Sequence, residues 1–230
     1  MPRSEPSRLF LLFLLVVSVS GLALVPLLLL QPNLQGTSLS FRRPLVGAIY
    51  SAVCIGGMLA VFYPGKCRMM FRKPNVSQEE GITPASSVQL KGHHPDCEEF
   101  SANRLIIRGS VFCAACSGLL VGAIVSMAWV VLFSLGFLNL GTGSFWVLLA
   151  GEVLMVVGLA QTKMKGYAKT AMNALFVVGS CISLIEVDLA RQSLLVDAYI
   201  LGLIVFVLWF RILLSEWNNK RICVACGRCV

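Results

Sequence analysis

The chain has 230 residues, of which 57% are hydrophobic and only 13% are charged, and its mean hydropathy is +0.82. Soluble domains carry about twice that share of charged residues, so the composition excludes an ordinary soluble enzyme or binding domain. The formal net charge is +8, but no single patch interleaves aromatic with basic residues, so no nucleic-acid partner is predicted. The predicted partner is the lipid bilayer.

Six apolar segments approach the ~20 residues that a helix needs to cross a bilayer. They are Leu9–Leu30, Leu45–Tyr63, Cys116–Leu138, Phe145–Ala160, Ala171–Leu189 and Leu194–Leu214. The first segment could instead be a signal peptide, but its apolar core is longer than the usual 7–15 residues and no small-residue cleavage site follows. The predicted fold is therefore all-α, a polytopic helical membrane protein with about six transmembrane helices.

This pattern divides the chain into four parts. Residues 1–63 form a transmembrane hairpin and 64–112 a loop; 113–214 form a four-helix transmembrane region and 215–230 a cysteine-rich tail. Most Lys and Arg residues fall on the side that carries both termini, and few fall on the other: Arg42, Arg43 and Arg191, with Arg211 near a boundary. The positive-inside rule then predicts an integral protein of the cell membrane with both termini and the loop in the cytoplasm.

The loop contains a candidate metal site. His94 and Cys97 are separated by two residues, and so are Cys113 and Cys116, with fifteen residues between the pairs. This is the two-plus-two spacing of a zinc ribbon, in which two ligands on each tight turn complete a tetrahedron. His93 is a competing ligand, but it is one residue further from Cys97. The spacing predicts a small cytoplasmic zinc-ribbon-like loop at the base of the third span.

A second cysteine cluster lies near the C-terminus, at Cys223, Cys226 and Cys229. It resembles the start of a bacterial ferredoxin ligand run, although the fourth cysteine and its proline are missing. It also suits a zinc knuckle at Cys223 and Cys226, or a solvated tail without structure. All three cysteines are candidate metal ligands, and the iron–sulfur interpretation would need a ligand from elsewhere, such as Cys67.

Other polar residues within the spans have plainer interpretations. Glu152, near the middle of the fourth span, is expected to be protonated or hydrogen-bonded to Asn173 or to a serine on a neighbouring helix. At the far end of the fifth span a solvated rim of charged residues is expected, formed by Glu186, Asp188, Arg191 and Asp197. No nucleotide-binding, serine-hydrolase or zinc-protease signature occurs, so no catalytic or organic cofactor-binding residue is predicted.

The stretch from His93 to Gly118 resembles a motif of uncharacterised polytopic membrane proteins of archaea and bacteria, the family named domain of unknown function 2085. Its members pair an early Cys/His group with a later Cys-x-x-Cys-x-Gly that opens a membrane helix, and Cys113 to Gly118 match the second half. The first half departs, because His-His-Pro-Asp-Cys stands where a Cys-His pair is common, and Ala115 stands where Arg is frequent. The resemblance implies a membrane fold with a cysteine site and no particular activity.

Three hypotheses for function follow. The first is a membrane protein whose cytoplasmic zinc site has a structural or docking role, with a protein partner left open. The second is a membrane thiol–disulfide oxidoreductase that uses Cys113 and Cys116 as its active pair. The third is an iron–sulfur electron carrier that uses the C-terminal cysteines. Whether the protein is an enzyme stays open at this point.

Overall fold

The computed structural model describes residues 6–30, 41–62, 90–91, 94–95, 98–107, 110–137 and 145–226. In this part of the chain six helices are long and apolar enough to cross a membrane. They are α1 (Arg8–Leu30), α2 (Arg42–Phe62), α3 (Ala114–Ser134), α4 (Phe145–Leu159, continued by a 3-10 turn over Ala160–Lys163), α5 (Gly166–Arg191) and α6 (Leu194–Cys226). The predicted all-α fold with six helices of membrane-spanning length and hydropathy is confirmed for the described residues, and it is compatible with a multi-pass membrane protein.

Two helices extend further than the apolar pattern predicts. Helix α5 begins at Gly166, so Lys169 and Asn173 belong to its first two turns. Helix α6 continues well past Leu214 to Cys226, because the polar residues after Leu214 include no Pro or Gly that would end a helix. Cys223 and Cys226 are therefore part of one continuous helix.

The central helix of the bundle is α5, which contacts α3, α4, α6 and α1. Its contact with α3 is close because Gly118 and Gly122 lie one turn apart against Thr170 and Ala174. A Cβ atom at Gly122 would lie 2.8 Å from the carbonyl oxygen of Ala174. Small residues four apart allow helix backbones to approach closely in membranes, where no hydrophobic force drives helices together.

Helix α4 packs on α5 in the same manner. A Cβ at Gly179 of α5 would lie 2.6 Å from the carbonyl oxygen of Gly151, and one at Gly158 would lie 2.7 Å from the Cβ of Phe176. The fourth span is short, but glycines hold it against the central helix.

Three of the four charged residues predicted as a solvated rim, Glu186, Asp188 and Asp197, are instead buried, and the prediction is wrong for these three; Arg191 is half-buried. Asp188 and Asp197 have no exposed surface, and Arg42 is 5% exposed. One guanidinium nitrogen of Arg42 donates to both carboxylates, at 2.6 Å to Asp197 Oδ2, and its other terminal nitrogen lies 3.3 Å from Asp188 Oδ2. Arg43 adds a longer ion pair of 3.5 Å with Asp188. The cluster joins α2, α5 and α6 at one end of the bundle.

A tight turn brings the two aspartates together. Helix α5 ends at Gln192 in the left-handed conformation, with φ of 49°, and its amide donates to the carbonyl of Asp188. Helix α6 begins two residues later, and Asp197 lies in its first turn, where a negative charge interacts favourably with the helix dipole. Glu186 is also buried, at 1% exposure, rather than solvated.

The described parts of the long loop form two small antiparallel sheets. Strand β1 (Leu90–Lys91) pairs with β2 (His94–Pro95), and β3 (Arg104–Ile107) pairs with β4 (Ser110–Cys113). A 3-10 helix over Glu98–Asn103 joins β3 to the preceding chain and contacts α5 and α6. The cysteines predicted to fill space within spans, Cys54 and Cys181, are buried, whereas Cys67 lies outside the described residues.

Candidate functional site

The β3–β4 hairpin leads directly into the third span. Its register pairs Arg104 with Cys113, the last residue of β4 and the residue that precedes α3. Alternating and β-branched residues favour these strands, and the reversal returns the loop to the bundle. The two predicted ligand pairs can meet only if the segment from Glu98 to Phe112 folds back. The β3–β4 hairpin reverses the chain within this segment.

Cys113 and Cys116 lie at the beginning of α3. Cys113 is the N-cap residue, with an extended backbone (φ −76°, ψ 122°), and Cys116 follows in the first turn. Neither thiol forms a disulfide among the described residues, and both are partly exposed; residues three apart at a helix start share one face. The amide groups of a first helical turn favour negative charge, so the site suits thiolate chemistry.

A cavity of about 190 Å³ opens beside the two cysteines. Its wall comes from four helices and from the 3-10 turn before β3, and it includes Asn103, Gln161, Lys169 and Arg211. These contributions show that the start of α3, the end of α4, the start of α5 and residues 208–219 of α6 lie at one end of the bundle. We call this end the cysteine face, and the end with Arg42, Asp188 and Asp197 the aspartate face.

Two basic residues of the cavity wall are buried. Lys169 is 5% exposed; its ammonium donates to Asn103 Oδ1 and lies close enough to Cys113 for an electrostatic interaction. Arg211 is 2% exposed; its Nη2 donates to Asn173 Oδ1 at 2.7 Å, and its guanidinium lies 3.8 Å from the centre of the Phe176 ring. The Nε and Nη1 of Arg211 have no hydrogen-bond partner within the described part of the chain.

Sequence reasoning missed this pair of cations. The distribution of Lys and Arg grouped Arg211, near a membrane boundary, with the residues of the side opposite the termini. The structure instead places Arg211 on the cysteine face, because α6 extends far beyond its apolar core. A lone arginine in the apolar run Leu208–Leu214 was the available signal, since ionisable residues within spans are rare and mark functional sites.

Of the alternatives predicted for Glu152, the hydrogen bond to Asn173 is not formed. The side-chain amide of Asn173 donates to the carbonyl of Lys169 at 2.6 Å, and its oxygen accepts from Arg211. Glu152 is 6% exposed on α4, and its Oε1 has no hydrogen-bond partner among the described residues. The buried hydroxyl of Ser183 on α5 also has no partner in this part of the chain, so Ser183 does not pair with Glu152.

Of the seven predicted metal ligands, the structure brings together Cys113 and Cys116. His94 lies on β2 opposite Lys91, but only its backbone is described, and Cys97 and Cys229 lie outside the described residues. Cys223 and Cys226 are one turn apart on α6. No group of three or more His, Cys, Asp or Glu residues positioned for a metal ion occurs among the described residues. The four-ligand zinc site stays a prediction.

Comparison of the chain with protein-family models, with curated proteins and with solved structures gives no match. Function is therefore argued from the geometry of the cysteine face alone.

Proposed function

We propose that the protein is a multi-pass protein of the cell membrane whose cysteine face holds a structural zinc ion, bound by His94, Cys97, Cys113 and Cys116. One observation carries the proposal. Cys113 and Cys116 lie one turn apart at the start of α3, on the wall of one cavity, directly after a hairpin that returns the loop to the bundle. A turn of this kind is how a cysteine pair contributes two ligands to one ion.

The charges of the cysteine face support thiolate ligands. Three thiolates and a neutral imidazole around Zn²⁺ carry one net negative charge, and Lys169 lies close to Cys113. An opposite charge at short range stabilises the deprotonated ligands that a metal requires. The resemblance to domain of unknown function 2085 fits a shared cysteine site and adds no activity.

The zinc ion would join the long loop to the base of α3. A closed site of this type contributes on the order of 10 kcal/mol, strongly dependent on pH, because its ligands come together only when the chain folds. We propose that its role is structural, holding the loop as a platform where a protein partner can dock.

Metal content tests this proposal directly. Purified protein is expected to hold one zinc per chain by element analysis, and Cys113→Ser and Cys97→Ser are each expected to remove it, since three ligands do not close the site. Cys181→Ser is the matched control, because Cys181 is buried in α5 away from the cavity. Cys223→Ser is also expected to retain the metal. Metal-free protein from zinc-replete cells would contradict the proposal.

A thiol–disulfide oxidoreductase is the second candidate, and one observation favours it. A Cys-x-x-Cys pair at a helix N-terminus beside a lysine is also the environment of a reactive thiol. The same preparation separates the candidates: a reversible Cys113–Cys116 disulfide in metal-free protein would replace the zinc site with the redox pair. The iron–sulfur alternative depends on sequence spacing alone, and a brown absorbance would favour it.

We further propose that the cysteine face is cytoplasmic. Arg42 and Arg43 of the aspartate face are ion-paired with aspartates, whereas Lys163 and Lys165, in the turn between α4 and α5, are exposed on the cysteine face. This asymmetry agrees with the positive-inside rule.

Epitope insertion checks the orientation. An epitope after Lys165 is expected to be reached by antibody only after cells are permeabilised, whereas one after Gln192 in the turn between α5 and α6 is expected to be reached in intact cells. The reverse pattern would place the thiols outside the cytoplasm, where disulfides persist, and would favour the oxidoreductase.

A further inference from the structure

The residues that line the cavity on the cysteine face include hydrogen-bond donors whose neighbouring acceptors are already occupied. The Nε and Nη1 of Arg211 and the Nδ2 of Asn103 are buried and have no hydrogen-bond partner among the described residues. The amide oxygens beside them are taken, since Asn103 Oδ1 accepts from Lys169 and Asn173 Oδ1 accepts from Arg211. These unpaired donors need an acceptor, and two of the side chains on this part of the wall, Arg211 and Lys169, are basic.

We propose that this cavity binds a phosphate oxyanion, held by Arg211 and Lys169 and by the amide of Asn103. A buried cation without a counter-ion is strongly disfavoured, above all at membrane depth. No ion pair to Arg211 or Lys169 occurs among the described residues. Glu216 also lines the cavity, but its side chain is exposed and accepts no described hydrogen bond from either cation.

The size and shape of the cavity fit a group larger than one water molecule. Its volume is about 190 Å³, against ~30 Å³ for a water molecule in the liquid. A phosphate has several oxygens that can accept from a guanidinium, an ammonium and an amide at the same time. The wall also includes the apolar side chains of Leu119, Leu208 and Ile212. These can contact the apolar part of a phospholipid, and the cavity also has room for free phosphate.

The depth of the site is consistent with either source of the phosphate. Arg211 follows Asp197 by fourteen positions on α6, which is about 21 Å along the helix axis. Since the hydrocarbon core is about 30 Å thick, Arg211 lies towards the membrane boundary on the cysteine face, within reach of lipid headgroups and of soluble ions. This inference does not depend on the zinc site.

Thermal unfolding of the full-length protein in a non-ionic detergent tests the inference. Inorganic phosphate is titrated against chloride at constant ionic strength, and phosphatidylglycerol is compared with diacylglycerol, which lacks the phosphate, in mixed micelles. The wild-type protein is expected to unfold at a higher temperature with phosphatidylglycerol or with phosphate. Stabilisation by phosphatidylglycerol alone identifies a lipid headgroup, whereas stabilisation by inorganic phosphate as well identifies a site open to the free ion.

Variants connect the response to the cavity. Arg211→Gln is expected to weaken the apparent affinity by about tenfold or more, because a hydrogen bond to a charged group is lost, and Lys169→Gln is expected to act in the same direction. Without the anion, Arg211→Gln protein is expected to be at least as stable as the wild type, since a buried charge without a counter-ion has been removed. Arg8→Gln is the matched control, because it changes the same charge on an exposed side chain.

Cys97→Ser separates this inference from the zinc proposal: unlike Cys113→Ser it leaves the described cavity wall unchanged, and the variant is expected to lose zinc and keep an anion response through Arg211 and Lys169. Arg211→Lys keeps the charge without the planar group and is expected to bind more weakly while folded, which covers the case in which Arg211→Gln does not fold. The inference is wrong if neither probe stabilises the wild type beyond its control, or if Arg8→Gln and Arg211→Gln lose the response equally.

Discussion

Arg42→Ala is expected to destabilise the folded protein by about 3–5 kcal/mol, because it leaves Asp188 and Asp197 buried without their cation. Both carboxylates have no exposed surface, and Arg42 donates hydrogen bonds to both. Three helices meet at this cluster, so the loss is expected to loosen α2 from α5 and α6. Unfolding in detergent, followed by the fluorescence of the four tryptophans, measures the effect.

Arg43→Ala is the matched control for this change. Arg43 is the next residue along α2, but its side chain is 35% exposed and its ion pair with Asp188 is 3.5 Å long. Exposed ion pairs contribute about 0–1 kcal/mol, so the variant should unfold almost as the wild type does. A second test adds Asp188→Asn and Asp197→Asn to Arg42→Ala, which removes the unpaired charges and should restore part of the lost stability. Equal effects of Arg42→Ala and Arg43→Ala would show that the cluster does not hold the helices together.

Gly118→Ala is expected to be the most damaging methyl addition in the bundle. A Cβ at this position would overlap the carbonyl oxygen of Thr170 and would lie 2.7 Å from the Cβ of Asn173. Backbone atoms cannot rotate away, so α3 and α5 must separate, and overpacking of this kind costs about 1–3 kcal/mol or more. The same displacement would disturb the cavity, because Cys113, Lys169 and Arg211 line it from these helices and from α6.

Gly56→Ala on α2 provides the comparison. Nothing lies within 4 Å of the position that its Cβ would occupy, and alanine is favoured over glycine within a helix by about 1 kcal/mol. This variant should therefore be neutral or slightly more stable. Thermal unfolding of the two proteins in the same detergent distinguishes a packing effect from a general intolerance of substitution. If the Gly118→Ala protein is as stable as the Gly56→Ala protein, the close contact between α3 and α5 is disproved.

The local sequence was enough to predict those parts of the structure that depend only on neighbouring residues. Six runs of apolar residues are enough to predict six spans, because backbone groups in a bilayer are satisfied within a helix whatever the helix packs against. The spacing of Cys113 and Cys116 placed both thiols on one turn at the start of α3, and the structure has them there. Their association with His94 and Cys97 stays a prediction, since the side chain of His94 and the whole of Cys97 lie outside the described residues.

Tertiary structure decided the environment of every charged residue within the bundle. Asp188 and Asp197 were expected to be solvated, yet both are buried and paired with Arg42, which precedes Asp188 by 146 positions. A partner at that distance leaves no trace in local periodicity. Arg211 was misplaced for a related reason: its side of the bundle depends on how far α6 continues, and its burial depends on Asn173 and Phe176 of α5. The free energy of a charge in a membrane is set by its partners, and only the folded chain brings those partners together.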